Sequence, residues 1–144
     1  MTSITIRRLG PDDATFLDRI AAEVFDEPVR PGRVAAYLRE PNHMMVVAID
    51  GDLVVGQCAG VVHRHPDKMT ELYIDEVGVA PTHHRRGIAR RMMEELFAWG
   101  REQGCEEAWV GTEVDNAPAR SLYRGFGPKE EDTFVMYVID VPGA

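Results

Sequence analysis

Apolar and polar positions along the 144-residue chain switch repeatedly between a period of two and a period near 3.6. Ile4–Arg8 alternates as a first strand would. Gly10-Pro11-Asp12-Asp13 then offers an early proline and first-turn acids. Phe16, Leu17, Ile20, Ala21 and Val24 follow at helical spacing and predict a helix running to Phe25. Pro28 and Pro31 interrupt the chain, and residues 31–39 read as a second short helix. Residues 44–49 form an apolar strand, Asp50-Gly51-Asp52 a hairpin turn, and Leu53–His63 the returning strand, with Gly56 and Gly60 as points of bulge or close approach. His65-Pro66-Asp67-Lys68 is a turn, and Glu71–Val79 a further strand. The short connections make these three strands antiparallel neighbours. A long helix is predicted from about 87 to 103, with the stripe Ile88, Met92, Leu96 and Trp99 widened by Ala89, Met93 and Phe97, and Gly104 as its C-terminal cap. Residues 108–111 are a short buried strand, Asn116 caps a helix to about Arg124, and residues 133–139 alternate as a last strand. With no repeat, linker or low-complexity stretch, the pattern predicts one mixed α/β domain over residues 1–144.

Composition narrows the function classes. Hydrophobic residues make up 44% and charged residues 28%, as in a globular protein, and no apolar run reaches the roughly 20 residues of a membrane helix. The start, Met1-Thr2-Ser3-Ile4-Thr5-Ile6-Arg7-Arg8, lacks the apolar stretch of a secretory signal. Cys58 and Cys105 are too few for a disulfide framework and fit no metal motif, so reduced thiols, no metal and a cytoplasmic location are expected. A net charge of −8 speaks against nucleic acid as a partner and is compatible with a cationic one.

One segment runs against that charge. In Val79-Ala80-Pro81-Thr82-His83-His84-Arg85-Arg86-Gly87-Ile88-Ala89 a strand ends and a helix begins among four consecutive basic or titratable side chains. A helix N-terminus carries unpaired N–H groups and partial positive charge, so basic residues there are unfavourable unless an anion joins them. Gly87 and Ala89 let that anion approach the backbone. The Gly-x-x-x-x-Gly-Lys-Ser/Thr and Gly-x-Gly-x-x-Gly phosphate motifs are both absent.

His84-Arg85-Arg86-Gly87-Ile88-Ala89 resembles the Arg/Gln-x-x-Gly-x-Gly/Ala pyrophosphate loop of the GNAT N-acetyltransferases, with histidine at the first position. Asn116-Ala117-Pro118-Ala119-Arg120-Ser121-Leu122-Tyr123-Arg124-Gly125-Phe126-Gly127 is similar to that family's second motif, with Pro128 in place of a final phenylalanine. The resemblance implies a central mixed, mostly antiparallel sheet of six to seven strands flanked by about four helices, and acetyl-CoA as cofactor. By the same resemblance, His84, Arg85, Arg86, Gly87, Ile88 and Ala89 hold the pyrophosphate, Val77 and Val79 offer backbone groups to the thioester and pantetheine arm, and Asn116 and Tyr123 complete the coenzyme site. A homodimer is common in the family.

Acetyl transfer to an amine needs a base, stabilisation of an oxyanion and a proton for the leaving thiolate. Tyr123, a phenol protonated at neutral pH, is the candidate acid. The Val77 N–H is the candidate oxyanion donor. Glu76 is the favoured base and Asp75 the second; a regular strand points them to opposite faces, and a bulge would change that. His63 and His65 read as structural or surface residues. The run Leu72-Tyr73-Ile74-Asp75-Glu76, with Leu122-Tyr123, Gly127 and Glu130-Glu131-Asp132, resembles small aminoglycoside 3-N-acetyltransferases. That implies a polycationic acceptor in an acidic cleft drawn from Asp26, Glu27, Asp75, Glu76, Glu113, Asp115 and Asp132. Another small amine or polyamine, a protein amino group, and a non-catalytic acyl-CoA sensor are the other readings.

Overall fold

A computed structural model describes residues 3–144. Met1 and Thr2, the first two residues of the N-terminal reading above, lie outside the described residues. The chain divides into two compact units, one ending at Gly111 and one spanning Thr112–Ala144.

The first unit is a five-stranded sheet in sequence order: β1 (Ile4–Arg8), β2 (His43–Asp50), β3 (Leu53–His63), β4 (Glu71–Val79) and β5 (Glu107–Val110). The first three pairings are antiparallel. β5 joins β4 in parallel, because helix α2 (Ile88–Glu102) carries the chain back between them. Buried Ile88, Met92, Met93, Leu96 and Trp99 lay the stripe of α2 on the sheet. Gly56 meets Met92 on this face, whereas its neighbour Gln57 donates through Nε2 to the Val24 carbonyl, 3.3 Å away. Adjacent strand residues face opposite ways, so the segment around Val24 covers the sheet's other face. Residues 45–49 of β2 are buried on both faces, which explains their unbroken apolar run.

The strand and helix counts differ from expectation. The predicted helix over 11–25 is only a 3-10 turn at Ala14–Asp18. Beyond it the backbone turns to the sheet: the Ala21 N–H donates to the Val54 carbonyl and the Val54 N–H to the Arg19 carbonyl, both at 2.9 Å. Val24 still reaches the core from this irregular path, so apolar spacing fixed its burial and not its helix. Helix α1 (Pro31–Leu38) forms as expected.

The second unit contains helix α3 (Ala117–Arg124), whose N-cap Asn116 accepts from the Ala119 N–H at 3.1 Å. The predicted last strand, 133–139, is no strand: these residues have no ladder partner among the described residues and are exposed. Alternation gives a strand its two faces but cannot supply the neighbour that satisfies its backbone.

Candidate active site

The site in the first unit is built at the C-terminal end of β4. β5 pairs with β4 only from Glu71↔Glu107 to Ile74↔Val110, so residues 75–79 have a strand neighbour on the β3 side alone. Backbone groups along a strand alternate sides. The Ala80 N–H donates to the Val55 carbonyl of β3 at 2.8 Å, while the Val79 carbonyl takes His84 Nε2 at 2.9 Å on the opposite side. Val77, two residues before Val79, therefore presents its N–H and carbonyl to the gap beyond Ile74.

Ala59 pairs with Glu76 and Gly60 with Ile74, so Asp75 is the extra residue of a β-bulge. The strict alternation that sends Asp75 and Glu76 to opposite faces is lost, and both carboxylates act on the Tyr37 phenol of α1. Gly78 follows them because nothing larger fits. A Cβ there would lie 2.4 Å from the Val24 carbonyl oxygen, a backbone atom that cannot swing aside.

The bulge gathers negative charge that is only partly compensated. Burial raises the pKa of half-buried Glu76, with Asp75 and Asp26 adding repulsion. Burial also raises that of Asp75, which His43 partly offsets. No ion pair involves Asp26, Asp75 or Glu76 among the described residues. Tyr37 and His43, which the sequence did not single out, pack edge to face at 5.2 Å. Tyr37 Oη and His43 Nδ1 are buried without hydrogen-bond partners. Burial, then the two carboxylates, hold the Tyr37 phenol well above its ordinary pKa, so it stays protonated. A helix tyrosine and a strand-start histidine carry no motif. Their one sequence signal is polarity at positions that the period assigns to the interior.

At the other end of the loop, Gly87 is the N-cap of α2, with φ 71° and ψ 14°, and Arg85 is also left-handed at φ 61°. The first intrahelical bond of α2 runs from the Arg91 N–H to the Gly87 carbonyl, and no side chain caps the turn. The N–H groups of Ile88 and Ala89, in the first turn, thus have no acceptor within the helix. Space is open where a Gly87 side chain would stand. Arg85 and Arg86 are exposed and form no ion pair among the described residues. His83 is turned away: its Nε2 lies 2.8 Å from Asp50 Oδ2, and its Nδ1 2.8 Å from Thr82 Oγ1. His84 braces the loop on β4.

The structure thus brings together Asp75, Glu76 and Asp26 at the bulge, and Arg85 to Ala89 at the helix start. Glu113, Asp115, Asn116, Tyr123 and Asp132 lie in the unit beginning at Thr112. There α3 carries Tyr123, and Glu131 bridges Arg124 at 2.7 and 2.8 Å. Among the described residues, no helix is long and apolar enough to cross a membrane.

The gap beside β4 opens near an uncapped helix N-terminus, a geometry able to take an anionic group at the helix start. The chain belongs to the acetyltransferase (GNAT) family, whose model matches residues 13–127. It is 30% identical over 126 residues to the N-alpha-acetyltransferase RimI of Mycobacterium tuberculosis, covering 86% of this chain and 77% of that one. Its fold matches an aminoglycoside acetyltransferase from an uncultured soil metagenomic sample, in complex with sisomicin, with TM-score 0.82 and 20% identity over 96% of both chains. It also matches AAC(6')-Iy in complex with a bisubstrate analog, CoA-S-monomethyl-acetylneamine, with TM-score 0.80 and 15% identity over 97% of this chain and 100% of that one. The protein is an acyl-CoA-dependent N-acetyltransferase with acetyl-CoA as its cofactor.

Proposed function

We propose that the protein acetylates a primary amine of a small polycation, an aminoglycoside first among them. The observation that carries this reading is the carboxylate cluster at the β4 bulge, partly desolvated and held in no ion pair among the described residues. A protonated amine entering there relieves that repulsion and finds an acceptor for its proton. Glu76 is assigned as the base, with Asp75 holding the substrate's charge. Glu113 and Asp115 are assigned to further amino groups of the acceptor. The family resemblance favours the 3-N position, whereas the AAC(6')-Iy relative is of the 6' type.

Acetyl-CoA supplies an acetyl group activated as a thioester. The residues assigned to hold it fit an extended diphosphate-bearing molecule. The free N–H groups of Ile88 and Ala89 and the Arg85 and Arg86 guanidiniums face anionic oxygens at the helix start. His84 positions the loop, Gly87 leaves the approach open, and the Val77 and Val79 backbone groups line the gap. The Val77 N–H is assigned to the developing oxyanion, worth about 3 kcal/mol for one well-placed donor. Asn116 starts the helix that carries Tyr123, and Tyr123 is assigned as the proton donor to the departing thiolate.

A protein N-terminal amine is the second reading, favoured by the 30% identity to RimI. Thiol release from acetyl-CoA, measured with gentamicin, kanamycin, spermidine and a peptide bearing a free α-amine, separates the two. Release with the aminoglycosides supports the first reading, and NMR of the product then assigns the nitrogen. Release with the peptide alone overturns it in favour of the second.

A further inference from the structure

His63, His65 and Glu71 stand apart from the site already described. Past the bulge, β3 and β4 return to strict alternation. A Cβ at Gly60 would meet Leu72 and Leu96, so Gly60 and Leu72 face helix α2. His63 lies an odd number of residues from Gly60, and Glu71 is next to Leu72, so both point to the sheet's other face. The two are direct partners at the loop end of the β3–β4 hairpin, and Glu107 of β5 is the partner of Glu71 on its far side. This row is about 15 Å along β4 from Glu76, at roughly 3.3 Å per residue.

Two features mark the row as a place for a cation. Glu71 and Glu107 are like charges at the same level of neighbouring strands, an arrangement that repels. The hairpin loop also brings a second imidazole back to them. Pro66 restricts His65 to extended backbone, and His65 Nε2 contacts Glu71 Oε1. The His63 and His65 rings lie 4.2 Å apart, tilted by 43°. One ligand atom from each of His63, His65 and Glu71 falls within 4.8 Å of the others. The side chains of His65 and Glu71 are only 17% and 19% exposed, whereas His63 is exposed. Two of the three are therefore held by their surroundings, and the third has room to turn.

We propose that this hairpin end binds a zinc-class divalent cation through His63, His65 and Glu71. Two imidazoles and a carboxylate are a zinc donor set, and three protein ligands leave a fourth position for water. Ligand atoms about 2.1 Å from a tetrahedral ion stand about 3.4 Å from one another, so the cluster closes by about 1.4 Å at most, within reach of a side-chain rotation of His63. The bound ion takes the place of the direct His65–Glu71 contact and offsets the paired carboxylates. It ties the loop 64–70 to the ends of both strands. Magnesium and calcium, which take oxygen ligands, do not suit this donor set. Spacing hides the site in the sequence, because His65 and Glu71 meet only once the hairpin closes. None of the residues assigned to acetyl-CoA or to the acceptor takes part, so the inference stands whichever amine is acetylated.

Zinc chloride titrated calorimetrically into tag-free, chelator-treated protein should show one site per chain with a micromolar or tighter Kd. Cobalt in its place should give the visible absorption of a tetrahedral centre, and magnesium should give no binding. His63→Ala and Glu71→Gln should each weaken zinc binding at least about tenfold, the least that even outer-shell partners of a metal cost. Cys105→Ser should leave it unchanged, since the donor set holds no thiolate. Arg64 and Lys68 also place two tryptic sites in the loop. Cleavage after Arg64, which lies between two ligands, should slow at least about tenfold with zinc in the wild type and not in His63→Ala. His63 is exposed, so this variant keeps its fold, which its melting curve checks. Absence of binding overturns the proposal. So does binding equal in wild type and His63→Ala/His65→Ala, which shows an adventitious ion only. Zinc that binds while the loop is cut at an unchanged rate overturns the tie between loop and strands.

Discussion

Substituting Gly87 separates the backbone's part in coenzyme binding from the charge's part. Gly87→Ala meets no steric obstacle, since open space surrounds its Cβ position, but it forces an L-residue to φ 71°. That costs about 1–2 kcal/mol of stability, or a fall in Tm of about 2–8 °C for a chain of this size. The N–H groups of Ile88 and Ala89 remain, so coenzyme A affinity should fall less than tenfold. Gly87→Glu adds the same strain and a carboxylate beside the anion site. At about 5 Å and an effective dielectric of about 40, each unit pair of like charges costs about 1.7 kcal/mol. Two phosphoryl charges therefore cost about 3 kcal/mol, on the order of a 100-fold loss in affinity. Isothermal titration with coenzyme A, with the variants' melting curves alongside, reads both effects. Raised salt should narrow the gap between the two variants. A folded Gly87→Glu protein that binds coenzyme A as tightly as Gly87→Ala would refute the placement of the pyrophosphate at this helix start.

Three further outcomes are expected. Because Asp75 and Glu76 have raised pKa values, the folded state holds more protons than the unfolded between the ordinary carboxylate pKa and the raised ones, and stability falls as pH rises through that window. Glu76→Gln should therefore raise Tm at pH 7, lose that gain below the ordinary carboxylate pKa, and lower turnover about 100-fold. A destabilised variant at pH 7 contradicts the electrostatics, and unchanged turnover contradicts the base. Tyr37→Phe removes a buried hydroxyl that has no partner, so it should stabilise the free protein by about 1 kcal/mol in chemical denaturation; if the hydroxyl serves the acceptor, the amine KM rises while the acetyl-CoA KM does not. Tyr123→Phe should lower kcat about 100-fold while acetyl-CoA affinity stays within a few-fold, and an unchanged kcat removes the phenol from the acid role.

Much of the regular structure of the first unit was legible in the sequence. Gly87, Ile88 and Ala89 announced the helix start that is found there, because that signal is local. The strands Leu53–His63 and Glu71–Val79 and the stripe of α2 were readable for the same reason: burial on a regular element has a fixed period. The surroundings of the β4 carboxylates were legible only in part. The sequence singled out Glu76, but the local geometry it shares with Asp75 depends on a bulge that exists only where β4 meets β3. His83 looked equal to His84 in the run and is instead spent on Asp50, across the β2–β3 turn. The stretch 11–25 carries a helix's spacing, yet Arg19 and Ala21 bond to Val54 because that edge of β3 is open to them.

Local periodicity and the termini of elements lie within a few residues of chain, so the sequence by itself determined helices α1, α2 and α3, the central strands and the turn that opens α2. Partners do not. Which backbone edges are left open, which carboxylates a bulge brings together, and what Tyr37 and His43 approach depend on contacts between residues far apart in the chain. Those the tertiary structure alone decided.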